Sequence, residues 1–164
     1  MIQNNVTRFL VSKKVKFTTY ELPAEKLGAL ESARLLDVPA GMVFKTIVLA
    51  RVERGKPILA VIPGDREVDL KAAAAVVGEK KIRLTTQSEA EKLTGLLAGG
   101  ISPLALINKG FQVLLDQHAL QYDQIHISGG QRGLNIKLSG VDLIKLTSAR
   151  TADISTPLTA ADGE

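Results

Sequence analysis

The stretch VFKTIVLARVERGKPILAVI, Val43 to Ile62, decides the fold. Val43 to Val52 reads as a long strand, Arg54-Gly55-Lys56-Pro57 as a turn, and Ile58 to Ile62 as the returning strand of an antiparallel hairpin. Along the first strand Lys45 shares a face with Val43, Ile47 and Leu49, while Phe44, Thr46 and Val48 take the other. A single cation thus sits among apolar neighbours. Burying an unpaired ammonium is costly, so such a lysine needs a carboxylate partner, an anionic ligand or an open cleft. An edge-strand lysine whose stem packs and whose head reaches water fits the same pattern, and spacing alone leaves both readings open.

Outward from the hairpin, helical and strand periods alternate. Val6, Phe9, Leu10 and Lys13 follow a helical period behind the capping candidates Asn4 and Asn5, and Phe17 to Leu22 alternates as a strand. Leu30 to Leu36 reads as a short helix ended near Val38-Pro39. Asp69 caps an alanine-rich helix, Leu70 to Val77, that stops at Gly78, and Thr86 with Glu89 forms a capping box for a helix from Ser88 to Leu93. Ser139 with Asp142 opens a last helix, Val141 to Thr147. Further strands are expected at Lys81 to Leu84, Gln112 to Leu115, Gln124 to Ser128 and Leu134 to Leu138. Strands outnumber the helices that could cover them, and several are joined by short turns. That predicts an α+β fold with a mixed, largely antiparallel sheet rather than a doubly wound one. No linker or repeat divides the chain, so residues 1–154 form one expected domain, with STPLTAADGE from Ser155 to Glu164 as a flexible tail.

At 164 residues and 45% hydrophobic content the chain can bury one good core and no comfortable second one. No apolar run approaches the ~20 residues of a membrane span, and the polar start MIQNNVTRF lacks the order of a signal peptide. The expectation is a soluble, cytoplasmic protein with no membrane partner. The absence of cysteine removes disulfides, thiolate ligands and a cysteine nucleophile together. His118 and His126 are the only histidines, eight residues apart on different predicted elements, with no cysteine or close carboxylate to complete a metal site. No metal or other cofactor is expected, and no G-x-S-x-G nucleophile elbow is present. A net charge of +4 suits a partner with phosphates. The basic residues are nevertheless scattered, so a small contact such as a tRNA end fits better than long nucleic acid. Lys109 and Arg132 are the candidates for that contact.

Two further segments join Lys45. In GGISP, Gly99 and Gly100 precede Ile101, Ser102 and Pro103, and residues without Cβ let backbone N–H groups approach a ligand carbonyl closely. A tight turn stiffened by Pro103 accounts for the same string. In SGGQRGL, a strand ends at Ser128 and turns through Gly129, Gly130 and Gly133, which presents a hydroxyl and amides to a pocket, or simply forms a glycine-rich hairpin with a solvated Arg132.

In this order VFKT (Val43 to Thr46), GGISP and SGGQRGL resemble the YbaK/EbsC-type Cys-tRNA(Pro) deacylases, relatives of the editing domain of bacterial prolyl-tRNA synthetases. The resemblance spans about Val6 to Ile154. It implies a curved or barrel-like sheet with flanking helices, and trans-editing hydrolysis of mischarged Cys-tRNA(Pro). In that chemistry the cysteinyl thiol attacks its own ester, without metal, and prolyl-tRNA synthetase supplies tRNA identity. It also implies roles: Lys45 for positioning and charge stabilisation, Gly100 and Ile101 for an oxyanion-binding backbone with Ser102 beside them, and Ser128 and Gly129 for the aminoacyl pocket. Tyr20 matches a family tyrosine that hydrogen-bonds in the pocket, although a half-buried strand tyrosine reads the same way. Several positions depart from the family. Asn135 stands where many relatives carry Asp, and an amide is neither a base nor a counter-charge to lysine. Leu96 replaces a frequent Tyr, Ala105 a frequent Gly, Leu27 or Gly28 an aromatic, and Leu106 to Gly110 a more basic stretch. An alanyl or other small-aminoacyl deacylase, and a non-catalytic module binding an aminoacyl or adenosine end, remain as alternatives.

Overall fold

The computed structural model describes residues 2–159. Helix α1 (Asn5–Ser12) starts from Asn4, whose side chain accepts the Thr7 amide while Thr7 Oγ1 accepts the Asn4 amide, closing a capping box. Strand β1 (Phe17–Glu21), helix α2 (Ala29–Leu36) and the hairpin of β2 (Phe44–Arg51) and β3 (Ile58–Pro63) follow. Next come β4 (Arg66–Val68), α3 (Leu70–Val76, capped by Asp69), β5 (Ile82–Leu84) and α4 (Gln87–Thr94, with the Thr86/Glu89 capping box). The second half contributes β6 (Gln112–Asp116), β7 (Ile125–Ser128), β8 (Leu134–Leu138), α5 (Gly140–Thr147), β9 (Arg150–Ala152) and β10 (Ser155–Pro157).

The strands form a five-stranded sheet in the order β5-β2-β3-β6-β9, a three-stranded sheet β1-β8-β7, and a pair β10-β4. β3 pairs antiparallel with β2, from Phe44 opposite Pro63 to Leu49 opposite Ile58, and parallel with β6. All six of its residues are buried, because both edges are paired and both faces are covered. Leu59 and Val61 join one core with Phe44, Val48, Leu115, Ile127 and Ile136, while Ile58, Ala60 and Ile62 join a second with Leu49, Ala73, Ala74 and Leu114. The alternation read along β2 thus divides two cores, where chain length and composition predict one, because the buried sheet carries apolar residues on both faces. The α+β, largely antiparallel character expected from the sequence is what the chain has. Among the described residues the sheets do not close on each other; a single parallel bridge, Val43 to His126, joins the two larger ones.

The segment expected as a tail from Ser155 is ordered at its start. Ser155–Pro157 pair with β4, and residues 160–164 lie outside the described residues. The cause is Asp116, fully buried at the end of β6. Its Oδ2 accepts from Ser155 Oγ at 2.7 Å and from the Ile154 amide at 3.2 Å. Its Oδ1 accepts the His118 amide at 2.9 Å and touches the His118 ring. Burial pushes this carboxyl up, but the hydrogen bonds from Ser155 and His118 outweigh it and hold the group below the ordinary aspartate value. Its stabilising contribution is therefore present above the unfolded-state value and lost as pH falls through the folded one. Asp116→Ala strands several of these donors and should lower folding free energy by about 3 kcal/mol in a urea titration.

Candidate active site

A cleft of about 250 Å³ opens between the loop after β1, the start of β2, the loop from Ala98 to Ile101, and the ends of β7 and β8. Lys45, Ile101, Ser128 and Asn135 line it, together with Glu25, Ser32, Thr46 and Gly99. Four of the sequence-predicted residues therefore meet in one place. Gly100, Ser102, Gly129, Tyr20, Lys109 and Arg132 lie around the cleft lining or elsewhere, each for an identifiable reason.

Lys45 sits one residue into β2, past the end of the second core, and is half-buried. Its Nζ donates to the Gly64 carbonyl at 3.4 Å. Burial pulls its pKa below the usual lysine value, while Asp65 and Glu67 oppose that shift. Gly64 follows β3 directly, and its amide donates to the Val43 carbonyl at 2.7 Å. A Cβ there would lie 2.7 Å from Ala29 Cβ and 2.9 Å from Val43 O, so only glycine lets the chain turn this close beneath the lysine. Nothing in the sequence singles out Gly64 as part of a site.

Gly100 belongs to the wall behind the cleft. Its amide donates to Leu97 O at 2.8 Å, and a Cβ on it would stand 2.9 Å from Gln131 Cα and 3.0 Å from Arg132 N. The GGISP loop is thus locked onto the 131–132 backbone. Arg132 Nε donates to Ala98 O at 2.7 Å, so this arginine staples the two loops together. Ser128 Oγ donates to Gly99 O at 3.4 Å. Ser102 is fully buried and caps the short 3-10 turn Pro103–Ala105 through the Leu104 amide. Gly129 packs against the Leu134 side chain and donates its amide to Leu134 O. Lys109 is exposed on the 3-10 turn Ile107–Lys109, which borders another face.

On the cleft side of the small sheet, Asn135 pairs in register with both Tyr20 and Ser128. Asn135 is buried, and its Oδ1 accepts from His126 Nδ1 at 2.7 Å. An amide oxygen only accepts, so the ring proton is on Nδ1 and the Asn135 NH₂ is left to face the cleft as a donor. Burial pulls the His126 pKa down, the Asn135 hydrogen bond opposes this, and Lys137 adds to it. His126 is thus neutral at pH 7. The Tyr20 ring packs 5.3 Å from the His126 ring at 54°, and Lys137 Nζ stands 5.6 Å from the Tyr20 ring centre. Sequence reading set His126 aside as a failed metal ligand; the cross-strand spacing that brings it to Asn135 became visible only with the β7–β8 register.

The expectation that no carboxylate stands near a histidine fails at His118, whose ring lies with Asp116 and Asp153 in one cluster, ligand atoms within 4.8 Å of one another. None of the three lines the cleft, and both Asp116 oxygens are already engaged, Oδ1 by His118 and Oδ2 by Ile154 and Ser155.

Chemically, the cleft gathers donors, the Lys45 ammonium and the Asn135 amide NH₂, around an apolar wall of Val43, Phe44 and Leu134. That arrangement holds and polarises a carbonyl. The lining residues include no histidine or cysteine, and Glu25, their one carboxylate, is exposed. The fold and the cleft define a small mixed-sheet domain with a donor-lined pocket. The chain belongs to the aminoacyl-tRNA editing domain family, whose model matches residues 8–146. It is 35% identical over 156 residues to EbsC of Enterococcus faecalis, provisionally named a Cys-tRNA(Pro)/Cys-tRNA(Cys) deacylase, covering 94% of each chain. It is also 33% identical over 87 residues to a proline–tRNA ligase of Nitratidesulfovibrio vulgaris, across 52% of this chain and 15% of that one. A solved structure provisionally described as a trans-editing enzyme for prolyl-tRNA synthetase superposes with a TM-score of 0.76 at 25% identity, over 95% of this chain and 99% of that one.

Three outcomes test this geometry. Gly100→Ala drives a methyl into the 131–132 backbone and should destabilise the protein by about 1–3 kcal/mol in a thermal or urea melt, with activity falling as the loops part. In an NMR titration, His126 should stay neutral down through its ordinary value near 6.5 and protonate only below it. Its depressed folded pKa means that stability is intact above that pH and declines as pH falls further. Asn135→Asp, which sets a carboxylate beside Nδ1, should raise the His126 pKa.

Proposed function

We propose that the chain is a trans-editing deacylase of translation quality control, hydrolysing mischarged Cys-tRNA(Pro) in the cytoplasm with prolyl-tRNA synthetase supplying tRNA identity. The observation that carries this reading is a cleft rich in donors for an ester carbonyl and poor in nucleophiles. Ser128 has its hydroxyl engaged by Gly99 O and the Gly130 amide rather than by a base, which supports a nucleophile drawn from the substrate.

In the proposed chemistry the cysteinyl thiol attacks its own ester carbonyl carbon, giving up its proton as the bond forms. The carbon–sulfur bond forms a four-membered thiolactone, the carbon–oxygen bond to the ribose breaks, and the ribose oxygen takes up the thiol's proton. Water then opens the thiolactone to free cysteine. Lys45 positions the ester and balances the charge that develops on its oxygen, and the Ile101 amide, beside the locked Gly100, offers a backbone donor to the same oxygen. Asn135 supplies a hydrogen bond in place of a carboxylate, which favours binding an acceptor group of the aminoacyl or ribose moiety. Proximity does the rest: a tethered thiol in the right geometry replaces an encounter with water. The names of the similar proteins, a Cys-tRNA(Pro)/Cys-tRNA(Cys) deacylase and a trans-editing enzyme for prolyl-tRNA synthetase, support the substrate and the partner.

The test is hydrolysis of Cys-, Ser-, Ala- and Pro-tRNA(Pro) by the purified protein, with and without cognate synthetase. Cys-tRNA(Pro) should turn over much faster than Ser-tRNA(Pro), whose hydroxyl is the weaker nucleophile, and chelators should change nothing. Lys45→Met should reduce the rate by at least ~100-fold, with a melting temperature equal to or above the parent's because a half-buried ammonium has gone. Equal rates on the cysteinyl and seryl esters would overturn the thiol mechanism, and preference for Ala-tRNA(Pro) would transfer the assignment to an alanyl deacylase.

A further inference from the structure

A second concavity, of about 730 Å³, lies between the end of α1, the turn into β1, the 107–109 turn and α5. Its floor is apolar, from Phe9, Val15, Ile107 and Leu146, and its rim carries Lys13, Lys14, Lys16 and Lys145 against one acid, Asp142. All four lysines are exposed, and none takes part in the ion pairs found among the described residues. Lys13 Nζ rests 5.7 Å from the Phe9 ring centre, so this ammonium is held over the floor. Lys109, at the end of the 107–109 turn, adds a fifth cation at the edge.

One rim lysine carries a backbone signal. Lys14 has φ of 57°, the left-handed conformation one residue past the C-cap Lys13, where glycine is the low-energy choice. A lysine is kept there despite that conformational penalty. The carbonyl ends of α1 and α5 favour nearby cations, but that field fades within the last turn and leaves Lys16 unexplained.

α1 also fixes where this groove lies relative to the cleft. At its start Asn4 Nδ2 donates to Gly129 O at 2.9 Å and to Gln131 Oε1 at 3.1 Å, beside Ser128 at the cleft lip. Its eight residues end at Ser12, just before Lys13, so lip and lysines stand one helix length apart, about 12 Å. That span matches about four nucleotides of a stacked strand at about 3.4 Å each. With an aminoacyl end in the cleft, the phosphates that reach the groove are those where the unpaired 3′ end enters its stem.

We propose that the Lys13/Lys14/Lys16/Lys145 groove binds the ribose-phosphate backbone of the RNA whose aminoacyl end occupies the cleft. The inference rests on the proposed aminoacyl-tRNA substrate, and its test separates the two. The fourfold lysine-to-glutamine variant is compared with the parent on aminoacyl-tRNA, on uncharged tRNA and on an aminoacyl-adenosine ester too short to reach the groove. Expected are a KM for aminoacyl-tRNA raised at least about tenfold with kcat kept, a salt dependence of tRNA binding shallower by about three in slope, and unchanged hydrolysis of the short ester. Lys14→Gly alone should raise the melting temperature while weakening tRNA binding, a combination that a purely structural lysine would not give. Unchanged KM and salt slope in the fourfold variant would overturn the groove assignment. So would a defect seen only when synthetase is present, which would make the groove a seat for an acidic protein face. Failure of the parent to hydrolyse either ester would overturn the deacylase reading, while binding of uncharged tRNA would still decide the groove.

Discussion

A strand without a polar side chain, ended by a glycine, governs this molecule. β3 has both edges hydrogen-bonded and both faces in core, so its position is set by burial in every direction. Its last step is Pro63-Gly64, and the Gly64 carbonyl receives the ammonium of Lys45. The Lys45 ammonium is thus referenced to the turn that directly ends a fully buried strand. Where the Gly64 amide closes on Val43 O, the same few atoms fix the start of β2 and its bridge to His126, and through that bridge the second sheet.

The cleft then follows from two opposed demands. A donor is most effective in a dry wall, yet a cation resists drying. Lys45 resolves this by partial burial, with Asp65 and Glu67 in its field and a carbonyl on one of its hydrogens. Asn135 meets a similar conflict differently: with its oxygen consumed by His126, a buried neutral group presents only donors. A carboxylate in its place would accept the same histidine proton and add a negative charge near Lys45. The amide gives the cleft a more electropositive lining than a carboxylate would.

Much of the fold could be read from local signals. The β2–β3 hairpin, the caps at Asn4, Asp69, Thr86 and Ser139, and the strands around residues 82, 112, 125 and 134 each leave a pattern within a few neighbours. The parallel contacts of β6 and the three-residue strands β4, β9 and β10 do not, because three residues carry no period and their partners are distant in sequence. The site divides the same way. Lys45 stood out because it broke an apolar alternation. Gly100 was legible as a position without room for a side chain, but not the direction of its crowding, which comes from residues 131 and 132 rather than from the cleft. Gly64 and His126 were invisible because their significance lies wholly in cross-strand neighbours.

The carboxylate of Asp116 has a consequence in time as well as in space. Its partners Ile154 and Ser155 are made almost forty residues after it, and β9, which covers the outer edge of β6, comes equally late. A nascent chain that has already formed the hairpin still carries an open parallel edge and a charge awaiting its donors. Vectorial synthesis therefore cannot complete this domain piecemeal: the five-stranded sheet gains its last strand only with residues 150–152, and the Asp116 carboxylate its last donor only with Ser155.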